Sequence, residues 1–180
     1  MKELSLHILD IVQNSIKASA TFIEVIIKES TVGNTFNITI KDNGCGMDEE
    51  TVKNVTNPFF TTRNTRRVGL GIPLLQEASQ RCNGAFSIES KIGHGTTVCC
   101  SFERNNIDRA PLGDISSTVM VIINSLLGCE FRYEHIVDDK SFEFSTIIIK
   151  ETLGVNDINS PDVLLWIKEY IEESTKELYN

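Results

Sequence analysis

The sequence predicts an α/β fold in which helices alternate with paired strands. Three observations carry this. Apolar residues recur at helical spacing over residues 4–19. Runs rich in β-branched residues occupy 22–28 and 36–41. Glycine, asparagine and proline punctuate the chain between such runs. The order is helix–strand–strand–helix–loop–helix–strand–strand to residue 104, then helix–strand–strand–helix to residue 180.

In residues 4–19, Leu4, Ile8, Leu9, Ile11, Val12 and Ile16 fall on one broad face at about 100° per residue. Asp10, Asn14 and Lys17 fall together opposite. Phe22–Lys28 reads as a strand and Gly33-Asn34 as a turn. Phe36–Lys41 alternates Phe36, Ile38 and Ile40 against Asn37, Thr39 and Lys41, as a half-buried strand does. Asp48 opens a short helix, with Glu49 and Glu50 in its first turn.

Residues 54–68 lack periodicity and read as a loop. A helix follows from Ile72 to Arg81, with Pro73 near its start and Asn83-Gly84 past its end. Ala85–Lys91 and Thr96–Glu103 read as strands joined by the Gly93-His94-Gly95 turn. Composition changes at Arg104–Gly113, so residues 1–104, a linker at 105–113 and an extension at 114–180 are expected. In the extension Asp114 caps an apolar helix, Ile115–Leu127. Alternation from Cys129 to Val137, a turn at Asp138-Asp139 and a return through Phe142–Ile149 predict a hairpin. Ser160-Pro161 opens the last helix.

The net charge of −8 argues against a surface that tracks nucleic acid, which needs clustered cations. No apolar run reaches the roughly 18 residues of a membrane span, and the amino terminus lacks a signal-peptide core. A cytoplasmic chain is expected. Five cysteines, an odd count without a C-x-x-C pair, suggest neither a disulfide framework nor zinc. Reduced, mostly packed thiols are expected, with Cys45 the one candidate for redox sensing.

Four fragments point to a nucleotide. Asp42-Asn43-Gly44-Cys45-Gly46-Met47 ends a strand with an acceptor carboxylate, two glycines that permit close approach and an apolar cover for a purine ring. Gly69-Leu70-Gly71 precedes a helix, whose free N–H groups and dipole suit phosphate. Arg63, Arg66 and Arg67 add charge from the loop. It is not a P-loop, because no Gly-Lys-Ser/Thr follows, and G-x-G-x-x-G is absent. Magnesium prefers few protein oxygens beside phosphate and water. Asn14 supplies one neutral oxygen. Asp10, one turn earlier, is placed to orient or deprotonate an attacking water, and Lys17 to meet phosphate.

Together these residues resemble the GHKL superfamily: gyrase B, the heat-shock chaperone, mismatch-repair ATPases and histidine-kinase catalytic domains. Asp10–Asn14 is similar to its N box and Asp42–Gly46 to its D-x-G-x-G box. Pro58–Arg63 resembles the P-F-F-T-T-K box of some histidine kinases. Gly69–Ile72 and Gly93–Thr96 resemble its later glycine boxes. The match spans residues 1–104. It implies a Bergerat-type two-layer α/β sandwich with helices on one face of a mixed, largely antiparallel sheet and a loop closing over ATP. It implies Asn14 as magnesium ligand, Asp42 as adenine acceptor, Thr96 as its support and Lys17 on the phosphate side. Gly44, Gly46, Met47, Thr62, Arg63, Gly69, Leu70 and Gly71 complete the expected pocket.

The chain departs from the pattern at three places. Hydrolysing members usually carry glutamate where Asp10 stands. Arg67 replaces the first glycine of the kinase box. Only nine residues precede Asp10, so a phospho-accepting helix pair is not expected upstream. His7, roughly 60° from Asp10 on the helical wheel, reads as a rim or solvated residue. The reading is a Mg-ATP-binding regulatory protein with slow hydrolysis, whose nucleotide state moves the loop and a partner contact. A kinase acting in trans on a serine or histidine protein, as anti-sigma kinases do, and a non-hydrolysing nucleotide sensor stay open. ATP or ADP and an unidentified protein are the expected partners, with a homodimer left open and neither nucleic acid nor membrane expected.

Overall fold

A computed structural model describes residues 3–56 and 71–180. The first helix, α1 (Leu4–Lys17), buries Leu4, Ile8, Ile11 and Val12. Two antiparallel strands follow, β1 (Phe22–Ser30) and β2 (Thr35–Asp42). Then come α2 (Glu49–Val55), α3 (Gly71–Arg81), β3 (Phe86–Lys91) and β4 (Gly95–Glu103). The remainder is α4 (Ile115–Ser125), β5 (Glu130–Val137), β6 (Lys140–Ser145), α5 (Thr146–Leu153) and α6 (Pro161–Glu177).

All six strands form one sheet, in the order β3-β4-β2-β1-β5-β6. Every neighbouring pair is antiparallel except β1 and β5, which run parallel. Alternation along each strand decides which face is dry. Ile23, Val25 and Ile27 of β1, Phe36, Ile38 and Ile40 of β2, and Phe131 and Tyr133 of β5 are buried. Glu24, Lys28, Asn37, Lys41, Arg132 and Glu134 alternate with them on the wetter face. The helices cover the apolar face: α1 packs between α3 and α4, and α4 against α6. The two-layer α/β sandwich with a mixed, mainly antiparallel sheet is therefore observed.

Residues 114–180 join that sheet through β5, whose Phe131 lies opposite Ile23 of β1. Residues 105–113 carry no helix or strand but are pinned to the start of α1, where Leu4 and Ser5 N–H groups donate to Pro111 and Leu112 carbonyls (3.0 and 2.9 Å). Asp114 caps α4 by accepting from the Ser117 N–H at 2.9 Å.

Two expectations need correction. The hairpin's return strand stops at Ser145, and Thr146–Leu153 is helical. The Thr146 hydroxyl accepts the Phe131 N–H at 2.9 Å, so a side chain takes the next rung of the ladder and the backbone turns away. The β-branched run Ile147-Ile148-Ile149 is overridden by this tertiary contact. His7 is buried, 3% exposed, on the face of α1 that carries Leu4, Ile8 and Ile11, and burial lowers its pKa below the ordinary range.

Candidate functional site

The site is built where the end of α1 meets the ends of β2 and β4. Asp42 is the last residue of β2, opposite Ile23 on one side and Thr96 on the other. Only 8% of its surface is exposed. Burying a carboxylate is costly unless donors surround it, and three do. The Ser15 hydroxyl donates to Oδ2 (2.6 Å), while the Gly44 and Thr96 N–H groups donate to Oδ1 (2.9 and 3.3 Å). An ionised carboxylate offers about four lone-pair positions, so one remains for a ligand donor.

The loop after β2 is fixed from both sides. The Cys45 N–H donates to the Ala18 carbonyl at the end of α1 (2.9 Å), and the Gly93 N–H to the Cys45 carbonyl (2.8 Å). Asn43 Oδ1 accepts from the Thr21 and Phe22 N–H groups, both at 2.9 Å. The asparagine of the motif thus ties the loop to the start of β1. Two glycines are dictated by the protein's own backbone. At Gly46 (φ +68°) a β-carbon would lie 2.0 Å from the Lys91 carbonyl oxygen. At Gly95 (φ +92°) it would lie 2.0 Å from that of Asp42. The β3–β4 turn therefore sits directly against the Asp42 loop. Gly44 is buried beside Ala18.

Met47 is half-buried against the core, and its N–H donates to Ser90 Oγ at 2.8 Å. The Ser90 hydroxyl donates to the Gly95 carbonyl (3.0 Å) and lies 2.8 Å from Thr96 Oγ1. Thr96 thus meets Asp42 through its backbone and Ser90 through its side chain. Ser15 and Ser90 are site residues that sequence reasoning missed. Ser15 follows Asn14 directly, which is a local hint. Ser90 has no signal in sequence, because its role depends on the β3–β4 register.

Along α1, Asp10 is exposed, Asn14 half-buried and Lys17 exposed, on the side turned from the core. Gly71 opens α3 against Asp10: a β-carbon there would stand 3.0 Å from Asp10 Oδ2. The structure therefore brings the first residue of α3 beside the acid, and the amide-bearing side chain of Asn14 one turn on. Asp42, Gly44, Gly46, Met47 and Thr96 group at the other end of the same helix. Thr62, Arg63, Arg66, Arg67, Gly69 and Leu70 lie outside the described residues. Cys45 is exposed; Cys82, Cys100 and Cys129 are buried and all five thiols are free. Burial pushes the Cys129 thiol up to about 11.

The sequence model of the histidine kinase-, DNA gyrase B- and HSP90-like ATPases matches residues 2–106. The chain belongs to this ATPase family. Among similar proteins, the sensor histidine kinase YvrG of Bacillus subtilis is 31% identical over 97 residues, covering 51% of this chain and 16% of that protein. Sporulation kinase C of Bacillus subtilis is 31% identical over 88 residues, covering 49% of this chain and 20% of that protein. The alignments thus span about a fifth or less of these relatives' length. A crystal structure of the N-terminal domain of a DNA repair protein superposes with a TM-score of 0.53 at 22% identity, over 81% of this chain and 53% of that one. That likeness concerns the fold, and it reaches beyond the residues matched by the ATPase family.

The geometry fits the nucleotide this ATPase fold takes. Asp42 keeps an acceptor position beside the apolar Met47. Asn14 presents a neutral oxygen and Lys17 a cation on the same helix, one turn and two turns from Asp10. Such a sparse oxygen set suits a magnesium ion that keeps phosphate and water as its other ligands.

Proposed function

We propose that this domain binds Mg-ATP, hydrolyses it slowly, and uses the nucleotide state to regulate a protein contact. The observation that carries the reading is the buried Asp42 carboxylate, held by three donors with one acceptor position left. That position accepts the exocyclic amine of adenine. Asn14 holds magnesium against the phosphates and Lys17 meets them. Asp10 takes the proton of an attacking water. Aspartate is one methylene shorter than glutamate, so its reach to that water is reduced and turnover is slow.

Calorimetry with ATP, with and without magnesium, tests the binding. Phosphate release by the wild type and Asp10→Asn tests the chemistry. A positioned general base contributes about 10²–10⁴-fold, so Asp10→Asn is expected to lower turnover by about a hundredfold with ATP affinity retained. Unchanged turnover removes Asp10 as base. ATP and ADP bound equally, without magnesium dependence or turnover, would leave a nucleotide sensor.

A second reading is favoured by the kinase names of the similar proteins and by the sequence Pro58–Arg63. It is phosphoryl transfer in trans to a serine or histidine of another protein. Labelled ATP incubated with a cell extract separates the two: label retained on protein supports transfer, and free phosphate alone supports hydrolysis.

A further inference from the structure

The outward face of α6 takes no part in the nucleotide site. Its inner face buries Leu164, Ile167 and Ile171. Opposite these, at spacings of three and four that place side chains on one helix face, stand Asp162, Leu165, Trp166, Glu169, Tyr170 and Glu173, all exposed. The apolar members are 38–55% exposed. The rings are held in place. Trp166 stacks parallel on Tyr170 with centroids 5.5 Å apart. Tyr170 in turn meets the edge of Phe142 on β6 at 5.4 Å.

The charges on this face are not balanced. Among the described residues, Asp162, Glu169 and Glu173 have no ion-pair partner, and the nearby cation Lys176 is bound to Glu172 at 2.7 Å. Glu169 and Glu173 sit four residues apart, a like-charge arrangement that disfavours the free helix. A fixed aromatic platform rimmed by unpaired carboxylates is complementary to a cationic, amphipathic surface. Cations also gain from lying over Trp and Tyr faces.

We propose that this face docks a basic amphipathic helix of a partner protein. The partner's apolar residues lie over Leu165, Trp166 and Tyr170, and its arginine or lysine side chains reach Asp162, Glu169 and Glu173. A second copy of the chain would oppose acid to acid, and an anionic lipid surface would be repelled in the same way. The inference does not depend on the nucleotide reading.

Trp166 is the only tryptophan, so its emission reports on this face directly. The full chain is titrated with a synthetic 18-residue peptide that is helical, leucine on one face and arginine on the other. A matched peptide with glutamate for arginine is the control. A saturable blue shift with the basic peptide alone is expected. Glu169→Lys/Glu173→Lys, both exposed and compatible with folding, should weaken binding about tenfold, since two exposed ion pairs become repulsions. The acidic peptide should then bind that variant. The proposal is overturned by an unshifted emission with the basic peptide, by equal response to both peptides, or by unchanged binding to the charge-reversed variant. It is also overturned by self-association of the chain that buries Trp166, or by an emission shift on anionic phosphatidylserine vesicles that exceeds the shift with the peptide.

Discussion

Replacing Asp42 by asparagine tests the proposed nucleotide site at the end where Asp42 is assigned to adenine. The three donors on this carboxylate divide unevenly. The Gly44 and Thr96 N–H groups, fixed in the backbone, both point at Oδ1, and only the Ser15 hydroxyl points at Oδ2. Asparagine must keep its carbonyl oxygen where the two backbone donors are, because those cannot turn away. Its amide nitrogen then stands in the Oδ2 position. The Ser15 hydroxyl can rotate there to accept, but the adenine amine can only donate. The loss is one hydrogen bond to a charged acceptor, about 1.5–3 kcal/mol. The ATP dissociation constant should therefore rise by roughly 10- to 150-fold. Inosine triphosphate offers a carbonyl oxygen in place of that amine, so the variant should favour it over ATP, reversing the wild-type order. Calorimetry of both nucleotides against both proteins, with circular dichroism to confirm the fold, gives the four affinities. An Asp42→Asn protein that is folded and keeps ATP affinity within a few fold, with the base preference unchanged, refutes the assignment.

Two further perturbations act through the fold. Gly95→Ala places a methyl group 2.0 Å from the Asp42 carbonyl at a left-handed φ, and should cost more than about 3 kcal/mol in urea unfolding. Glu29 should shape the acid limb of stability. Burial pushes its carboxyl up, but hydrogen bonds from His135, Tyr179 and Arg104 outweigh this and hold it at about 2, against an ordinary 4.5. Because the folded value is depressed, the stabilisation is complete above about pH 4.5 and is lost as pH falls toward 2. The full shift would be worth about 3 kcal/mol, and solvent screening at the partly exposed Arg104 and Tyr179 reduces it to roughly 2 kcal/mol. Urea midpoints of wild type and Glu29→Gln from pH 6 to pH 2.5 should converge as the pH falls.

Legibility in the sequence followed the range of the cause. Helix α1 was readable because Leu4, Ile8, Ile11 and Val12 repeat at helical spacing within one segment. Strand β1 was readable from its β-branched residues and β2 from alternation, and α4 and α6 from Asp114 and from Ser160-Pro161, since each signal is local. The motif Asp42–Gly46 was readable as a loop, but the reason for its glycines was not. Gly46 packs against Lys91 and Gly95 against Asp42, contacts made only when β4 pairs with β2. Ser90 enters the site through the register of β3 on β4, which nothing near residue 90 announces. Helix α5 was misread because Ile147, Ile148 and Ile149 favour a strand by themselves, and the Thr146 hydroxyl decides otherwise from across the hairpin. Glu29 and His135 meet at 3.1 Å in the interior although 106 positions separate them.

The parallel pairing of β1 with β5 bears on how the proposed nucleotide site is held. Ile23 lies between Asp42 on β2 and Phe131 on β5, so the strand next to Asp42 is central in the sheet. A fragment ending at residue 104 would leave β1 as an exposed edge and uncover the face on which α4 packs against α1. It would also lose Val119, Ile122, Phe131, Tyr133, Phe144, Ile167 and Ile171, each no more than 1% exposed in the whole chain. Full burial of one such side chain contributes about 1.5–3 kcal/mol. Seven of them represent about 10–20 kcal/mol, as large as the roughly 5–15 kcal/mol by which a domain of this kind is stable, and the apolar partners they leave on Ile23, Val25 and Ile27 would face water. The 1–104 fragment should therefore show no cooperative urea transition and no Mg-ATP heat, although every residue proposed for the nucleotide site lies within it. A sharp transition in that fragment, with ATP affinity like that of the full chain, would show that the family-matched segment folds alone and that β5 is an addition to a finished core.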